Sequence, residues 1–204
     1  MEVVLEPFGD AAWRVRLPEQ GNRRALLDSL RGLPQVLDAV VCERHAVVTF
    51  EPAAPPSEAS VREAVASALT APEQGSAPSM HRIPVRYDGA DLDDLARTVA
   101  LSRDDVISLH AAPVYVVAAM GFLPGFGYLR GLDARLVVPR RASPRQHVPP
   151  LSVAIAGPYT GVYPFSSPGG WHLLGTAVGF SPFDALRGAT LALGDRVRFV
   201  PESP

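Results

Sequence analysis

Hydrophobic positions in the first third of the chain change their period in a regular order. Alternating or continuous apolar runs predict four short strands, at 2–5, 11–17, 36–41 and 46–50. Leucines at helical spacing predict an amphipathic helix over 23–33, and a second apolar stripe follows the helix cap Ser57. A half-exposed sheet covered by both helices would bury these stripes. We therefore expect an α+β sandwich of the ferredoxin-like kind.

The pattern changes after a segment rich in Pro, Gly and Ser at 71–79, which predicts a linker. Two short helices are predicted at 91–100 and 102–111, and the apolar run 114–120 is typical of a buried strand. The rest consists of short strand signals between Gly and Pro turns, which predicts a β-barrel or a sandwich. We therefore predict two domains, an α+β domain over 1–78 and a β-rich domain over 79–204.

Composition excludes several classes of partner. The chain has 204 residues, is 47% hydrophobic and carries a net charge of -2, so it lacks the basic field that attracts nucleic acid or anionic lipid. No apolar run approaches the length of a membrane span, and the start of the chain lacks the pattern of a signal peptide. We expect a cytoplasmic protein that binds neither nucleic acid nor membrane.

The cysteine and lysine counts limit the possible chemistry. Cys42 is the only cysteine, which excludes an internal disulfide and a thiolate cluster, and its apolar neighbours predict burial. No His, Asp or Glu spacing is typical of a metal site, so we expect no metal. All 19 basic residues are arginine, so no phosphate-binding lysine or Schiff base can form. We expect no cofactor bound by this chain, and any ATP site to lie elsewhere.

The densest candidate chemistry lies at 157–175, a segment rich in Gly, Pro and aromatic residues that follows an apolar strand signal. A tight turn predicted at Ser167, Gly169 and Gly170 would expose backbone amides that can bind a carboxylate or an oxyanion. The same region permits a second interpretation, in which a serine nucleophile is paired with His172 as base and Asp184 as its orienter.

Three arginines lie shortly before this segment. Arg140 and Arg145 each follow a proline and lie five residues apart. This pattern predicts better-defined positions for these two arginines than for Arg141. The planar guanidinium suits a bidentate contact with a carboxylate or phosphate, although a solvated basic turn would have the same sequence. His110 ends a capped helix directly before the buried strand and is either a helix-end cap or a catalytic candidate.

Aromatic residues in a glycine-rich loop at 121–129 form a further candidate surface. Phe122, Leu123, Phe126 and Tyr128 predict either a lip that faces a partner protein or a part of the core. The loop does not match the dinucleotide-binding fingerprint, because its glycine spacing and flanking elements differ from that motif.

Several motifs occur in the order typical of one known family. They are 121–126 (GFLPGF), 139–145 (PRRASPR), 152–157 (SVAIAG), 160–164 (TGVYP), 167–171 (SPGGW) and 194–199 (GDRVRF). Together they resemble the family of B-type subunits of 5-oxoprolinase, also called allophanate hydrolase subunit 1 or the kinase-inhibitor KipI family. The resemblance extends to 7–12 and 105–110 and so covers nearly the whole chain.

The resemblance implies a C-terminal cyclophilin-like β-barrel and a complex with two further proteins, the C-type subunit, which is also cyclophilin-like, and the A-type subunit. That complex uses ATP to open the lactam of 5-oxoproline and give glutamate. Fused relatives act in urea carboxylase, and one branch inhibits a sensor histidine kinase, which gives an alternative function as a binding protein. A shared barrel does not by itself confer cyclophilin-type proline isomerisation.

Applied to this chain, the resemblance assigns contacts with a small anionic substrate to a set of residues that comprises Arg140, Arg145, Tyr159, Ser167, Gly169 and Gly170. His172 and His110 are the catalytic candidates, unless a partner supplies the acid and base. The chain departs from the family pattern where Gly127 replaces a proline, Leu151 a glycine and Tyr159 a glutamine, and where Thr176 replaces the arginine of a G-R-T-P segment.

Overall fold

The computed structural model describes residues 3–18, 21–70 and 78–202. The chain divides into two compact units, Met1–Ala77 and Pro78–Pro204. The predicted linker at 71–79 falls mostly outside the described residues. In the part of the chain that the structure describes, no helix has both the length and the apolar character that a membrane span requires.

The first unit is a four-stranded antiparallel sheet with two helices. Its strand order is β1-β2-β4-β3. In chain order, the elements are β1 (Leu5–Pro7), β2 (Ala12–Arg16), α1 (Arg23–Arg31), β3 (Val36–Val41), β4 (His45–Phe50) and α2 (Glu58–Thr70).

Sequence patterning explains this unit. The Asn22 side chain caps α1 by accepting from the backbone N–H of Ala25, and every second residue of β4 is buried. The Ser29 hydroxyl of α1 donates to the carbonyl of Ala64 in α2, which links the two helices. The predicted order β-β-α-β-β-α is confirmed. It differs from the usual β-α-β-β-α-β order, so the ferredoxin-like description stays a prediction.

The expectation that Cys42 is buried is wrong. Cys42 is exposed because β3 ends at Val41 and the chain turns there before β4 begins. The apolar neighbours Val40 and Val41 belong to the strand, whereas the thiol stands in the turn.

The second unit is a closed seven-stranded barrel with two helices and two short ribbons. Around the barrel the strand order is β10-β7-β6-β15-β5-β12-β9, with β9 paired to β10. In chain order, the elements are β5 (Met80–Arg86), α3 (Leu92–Thr98), α4 (Arg103–Ala111), β6 (Tyr115–Met120), β7 (Gly127–Arg130), the 3-10 helix η1 (Ala134–Leu136), β8 (Arg145–Val148), β9 (Ser152–Ala156), β10 (Tyr159–Val162), β11 (Ser167–Gly169), β12 (His172–Ala177), β13 (Phe183–Asp184), β14 (Gly188–Ala189) and β15 (Arg196–Pro201).

The barrel surrounds an apolar core to which alternate residues of its strands contribute. β5 and β15 pair in parallel, and their inward residues Ile83, Val85, Val197 and Phe199 are buried. β9 is buried at all five positions. The predicted barrel is confirmed, while its cyclophilin-like character stays a prediction.

Two features outside the barrel wall prepare the candidate site. α3 and α4 pack on the barrel, and α4 begins with the predicted capping box between Ser102 and Asp105. β8 and β11 form an antiparallel ribbon separate from the barrel, in which Gly169 pairs with Arg145. This ribbon brings the arginine-rich loop and the glycine-rich segment side by side.

Candidate functional site

An open pocket lies beside the ribbon. Its empty space, with the open mouth included, is about 340 Å³, and its walls are mostly aromatic. Its lining residues are Phe122, Phe126, Tyr128, Arg140, Tyr163, Pro168, Gly169, Gly170 and Trp171. Apolar walls with a few polar groups are typical of small-molecule sites.

Phe126 organises the aromatic wall. Its ring makes edge-to-face contacts with Phe122, Tyr128, Tyr163 and Trp171, with centroid distances of 5.0 to 5.4 Å. Phe126 is 1% exposed, whereas Phe122 is 57% exposed and has a backbone φ of +72°. The predicted aromatic lip therefore consists of a buried centre at Phe126 and an exposed ring at Phe122. The backbone of Phe122 has a conformation that non-glycine residues rarely adopt.

The glycine-rich segment forms another part of the pocket wall. The tight turn predicted at Ser167, Gly169 and Gly170 is wrong, because Ser167–Gly169 is the strand β11 and its backbone pairs with β8. A Cβ at Gly169 would lie 2.5 Å from the Tyr163 hydroxyl oxygen, so no larger residue fits there without displacing that ring. Gly169 and Gly170 line the pocket, but Ser167 does not. Ser167 lies opposite Val148 in the ribbon, and its buried Oγ has no hydrogen-bond partner among the described residues.

The three arginines have different environments. Arg140 is exposed and lines the pocket, and its guanidinium makes no hydrogen bond or ion pair within the described residues. Arg141 and Arg145 are partly buried, and both pair with the 2% exposed side chain of Asp91, at 2.6 and 2.7 Å. The structure thus brings Arg140 to the pocket and places Arg145 behind it.

Asp91 is the centre of this polar cluster. Its Oδ1 accepts from both arginines, and its Oδ2 accepts from the backbone N–H of Leu173 at 2.8 Å. Burial alone would raise the pKa of Asp91, but the hydrogen bonds from Arg145 and Leu173 outweigh it and hold that pKa below its ordinary value. Asp91 is therefore a charged acceptor in the folded protein.

His172 stands near the pocket without lining it. Its Nε2 lies 3.0 Å from the carbonyl oxygen of Pro139, the residue before Arg140. Since a carbonyl accepts only, Nε2 carries the proton and donates it there. This contact favours a role in holding the arginine loop.

His110 lies in the barrel interior and is completely buried. Its Nδ1 is 2.8 Å from the Tyr87 hydroxyl and its Nε2 is 2.8 Å from the Thr160 hydroxyl. Thr160 itself donates to the carbonyl of Ala154, so it accepts from Nε2–H, and Nδ1 accepts from Tyr87. Burial lowers the pKa of His110 to about 3. These surroundings favour a structural role over the predicted catalytic one.

The other candidates are not assembled into one site. Tyr159 is half-buried and packs edge-to-face on Tyr128, with the ring centroids 5.8 Å apart, but it does not line the pocket. Asp184 accepts from the backbone N–H groups of Leu186 and Arg187 within its own hairpin. Among the described residues, the structure therefore does not bring together a serine, His172 and Asp184.

No metal-binding group of three or more His, Cys, Asp or Glu occurs among residues 3–18, 21–70 and 78–202.

The residue best placed to hold an anion is Arg140, because its charge faces the pocket without a hydrogen-bonded or ion-paired partner in the described part of the chain.

Sequence reasoning missed Asp91 and Tyr163. Asp91 precedes α3 and so has the sequence of an ordinary helix cap, yet its side chain makes no capping hydrogen bond. Its arginine partners lie 50 and 54 residues further along the chain, where no local pattern can indicate them. Tyr163 had a usable signal, since it follows the strand β10 and precedes the glycine-rich segment.

Two departures from the family pattern have visible structural effects. Leu151 has a φ of +63°, a left-handed conformation that glycine adopts without strain. Thr176 donates its hydroxyl to Asp88 at 3.0 Å and lies outside the pocket lining.

A family model described as carboxyltransferase domain, subdomain C and D, matches residues 3–190 of this chain. The chain belongs to this carboxyltransferase family. The predicted family membership is thereby confirmed, and similarity to proteins named as the B-type subunit of 5-oxoprolinase agrees with it. The E. coli O157:H7 protein of that name is 50% identical over 125 residues, which are 59% of this chain and 57% of the relative. The Haemophilus influenzae protein of that name is 44% identical over 124 residues, 59% and 58% of the two chains.

The matching part of this chain therefore spans less than two thirds of the length of these two relatives. Among solved structures, TTHA0988 is 37% identical with a TM-score of 0.80, over 95% of this chain and 40% of that chain. PH0987 from Pyrococcus horikoshii is 31% identical with a TM-score of 0.58, over 98% of both chains. The K. lactis urea amidolyase is 18% identical with a TM-score of 0.74, over 98% of this chain and 15% of that chain, and shares the fold alone.

Proposed function

We propose that this chain is the B-type component of an ATP-dependent complex that opens the lactam of 5-oxoproline to give glutamate. The observation that carries the proposal is the guanidinium of Arg140 at an aromatic pocket, in a chain 50% identical over 125 residues to a 5-oxoprolinase component of that type. A hydrolase-type activity would belong to the complex.

The pocket suits the substrate in polarity. 5-Oxoproline is a small, nearly flat five-membered ring that carries one carboxylate. Aromatic walls can cover the faces of the ring, and Arg140 can form a bidentate contact with the carboxylate. The lactam end would lie beside Gly169 and Gly170, which line the pocket without a side chain that could fill it.

We assign the acid and base of the reaction to a partner protein. His110 is neutral and enclosed, and the Nε2–H of His172 is directed to Pro139, so neither histidine faces the pocket. The complete absence of lysine agrees with an ATP site on another chain. In TTHA0988 the region similar to this chain makes up 40% of the polypeptide, which is consistent with a second segment acting beside it.

The test uses the chain reconstituted with the proteins encoded by its neighbouring genes. We expect glutamate release from 5-oxoproline that depends on ATP and on every component. Arg140→Ala should assemble normally and lose most of this activity. The matched control is Arg198→Ala, which removes an exposed arginine of the same unit outside the pocket and should retain full activity. A verified complex that releases no glutamate would rule out the proposed reaction.

A further inference from the structure

Asp91 is a buried carboxylate at which three chain segments around the pocket meet. Asp91 itself directly precedes α3. Its carboxylate accepts from Arg141 in the loop before β8, from Arg145 at the start of β8, and from the backbone N–H of Leu173 in β12. Its side chain makes no capping hydrogen bond with α3. A residue placed as a helix cap has therefore turned its carboxylate toward the arginine loop.

The loop is attached on both sides of Arg140. On one side, the carbonyl of Pro139 accepts from His172 Nε2 at 3.0 Å. On the other, the backbone N–H of Arg141 donates to the carbonyl of Gly170 at 2.8 Å, and its guanidinium is 2.6 Å from Asp91. The backbone of Arg140 is thus fixed between two contacts, while its own guanidinium remains available to a ligand.

The charges make Asp91 the critical member of the cluster. Two guanidinium groups share one carboxylate oxygen, and Arg141 Nε and Arg145 Nη1 are buried without partners among the described residues. Without the carboxylate, two partly buried cations would face each other at short range and repel. That repulsion would displace the loop that carries Arg140.

We propose that Asp91 is a positioning residue that holds Arg140 at the pocket through Arg141 and does not touch the ligand itself. The proposal rests on the proposed function, in which Arg140 binds the carboxylate of the substrate. A competing explanation is that Asp91 only stabilises the fold. The two differ in one respect: a positioning role requires that the effect of Asp91 on binding disappear when Arg140 is absent.

A double-mutant cycle on the isolated full chain tests this difference. Trp13→Phe leaves Trp171 in the pocket wall as the only tryptophan, so its fluorescence reports titration with 5-oxoproline. We expect Asp91→Asn to weaken binding about tenfold or more, since small displacements of a binding group have effects of this size. In the Arg140→Ala background, Asp91→Asn should change the remaining affinity less than about twofold. Equal weakening in both backgrounds would overturn the positioning role.

The matched control is Asp133→Asn, which breaks an aspartate–arginine pair with Arg135 outside the pocket lining and should leave binding unchanged. If Asp91→Asn does not fold, Arg141→Gln breaks the same link at the more exposed residue and enters the cycle instead.

A second measurement needs no ligand. In Asp91→Asn, the amide of Arg141 should exchange with solvent at least about tenfold faster, whereas that of Val197 in the barrel should not change. Unchanged exchange at Arg141 would refute the proposal. If the unmodified chain alone does not bind 5-oxoproline, amide exchange decides whether Asp91 positions the loop, and glutamate release by the reconstituted complex decides the proposed function separately.

Discussion

Two polar clusters in the barrel unit differ in what they leave unpaired. Around His110, both ring nitrogens have hydroxyl partners and the ring stacks on Phe199 at a centroid distance of 4.7 Å. Around Asp91, one carboxylate serves two arginines, and two guanidinium nitrogens remain buried without a described partner. Buried polar groups without partners are costly, so structural clusters are normally complete. The incomplete cluster is the one beside the pocket.

The comparison predicts that His110 matters for stability and not for binding. His110→Ala would leave a cavity and remove the partners of the buried Tyr87 and Thr160 hydroxyls, so we expect a loss of about 3 to 5 kcal/mol in the free energy of unfolding. Urea unfolding followed by Trp171 fluorescence in the Trp13→Phe background measures it. If the variant kept its stability but lost glutamate release in the complex, His110 would be catalytic after all.

The same cluster predicts a pH dependence. The pKa of His110 is lowered from 6.5 to about 3, so between these values the unfolded chain binds the proton and the folded chain does not. Above pH 6.5 the titration of His110 does not lower the free energy of unfolding. As the pH falls from 6.5 toward 3, the free energy of unfolding decreases by up to about 1.4 kcal/mol per pH unit.

The measurement is urea unfolding at several pH values between about 7 and about 4, the upper part of this window. His110→Gln cannot titrate, so its stability should depend less on pH than that of the unmodified chain. Identical pH slopes for the two proteins would contradict the neutral, buried state of His110.

Arg140 should behave in the opposite way to His110. Arg140→Ala removes an exposed side chain with no hydrogen bond or ion pair to a described residue, so the free energy of unfolding should change by less than about 0.5 kcal/mol. Affinity for 5-oxoproline should decrease about tenfold to a hundredfold, because a charged hydrogen bond to the carboxylate is lost. Calorimetric titration of the isolated chain, with Arg198→Ala as the control, measures the difference.

The smallest effect concerns backbone strain at Leu151. Its φ of +63° penalises any side chain with a Cβ, so Leu151→Gly should be more stable than Leu151→Ala by about 1 kcal/mol. At an ordinary strand position glycine is the less stable residue of the two, so the sign itself is the test. Thermal unfolding of the two variants measures it, and a more stable alanine variant would exclude strain at this position.

Sequence reasoning located the pocket better than it assigned the roles within it. Composition identifies the glycine-rich segment and the arginine loop, and Gly169, Gly170 and Arg140 line the pocket. The predicted turn conformation of the glycine-rich segment is wrong, because Ser167–Gly169 is a strand. The proline before Arg145 predicts a better-defined position for Arg145 than for Arg141, yet both arginines pair with Asp91. Spacing along the chain indicates that a residue has a defined position, but it does not indicate which partner the residue faces.

The sequence by itself determined the family, the order of helices and strands in the first unit, the β-rich character of the second unit and the segments that line the pocket, but it missed several short strands of the second unit, among them β7, β8 and β11. These properties follow from local periodicity, turn residues and contiguous motifs, all of which are short-range. Only the tertiary structure decided that His110 is enclosed, that Cys42 is exposed and that Asp91 joins two arginines 50 and 54 residues away. Charge pairing and burial depend on distances across the barrel unit, and chain spacing does not encode those distances.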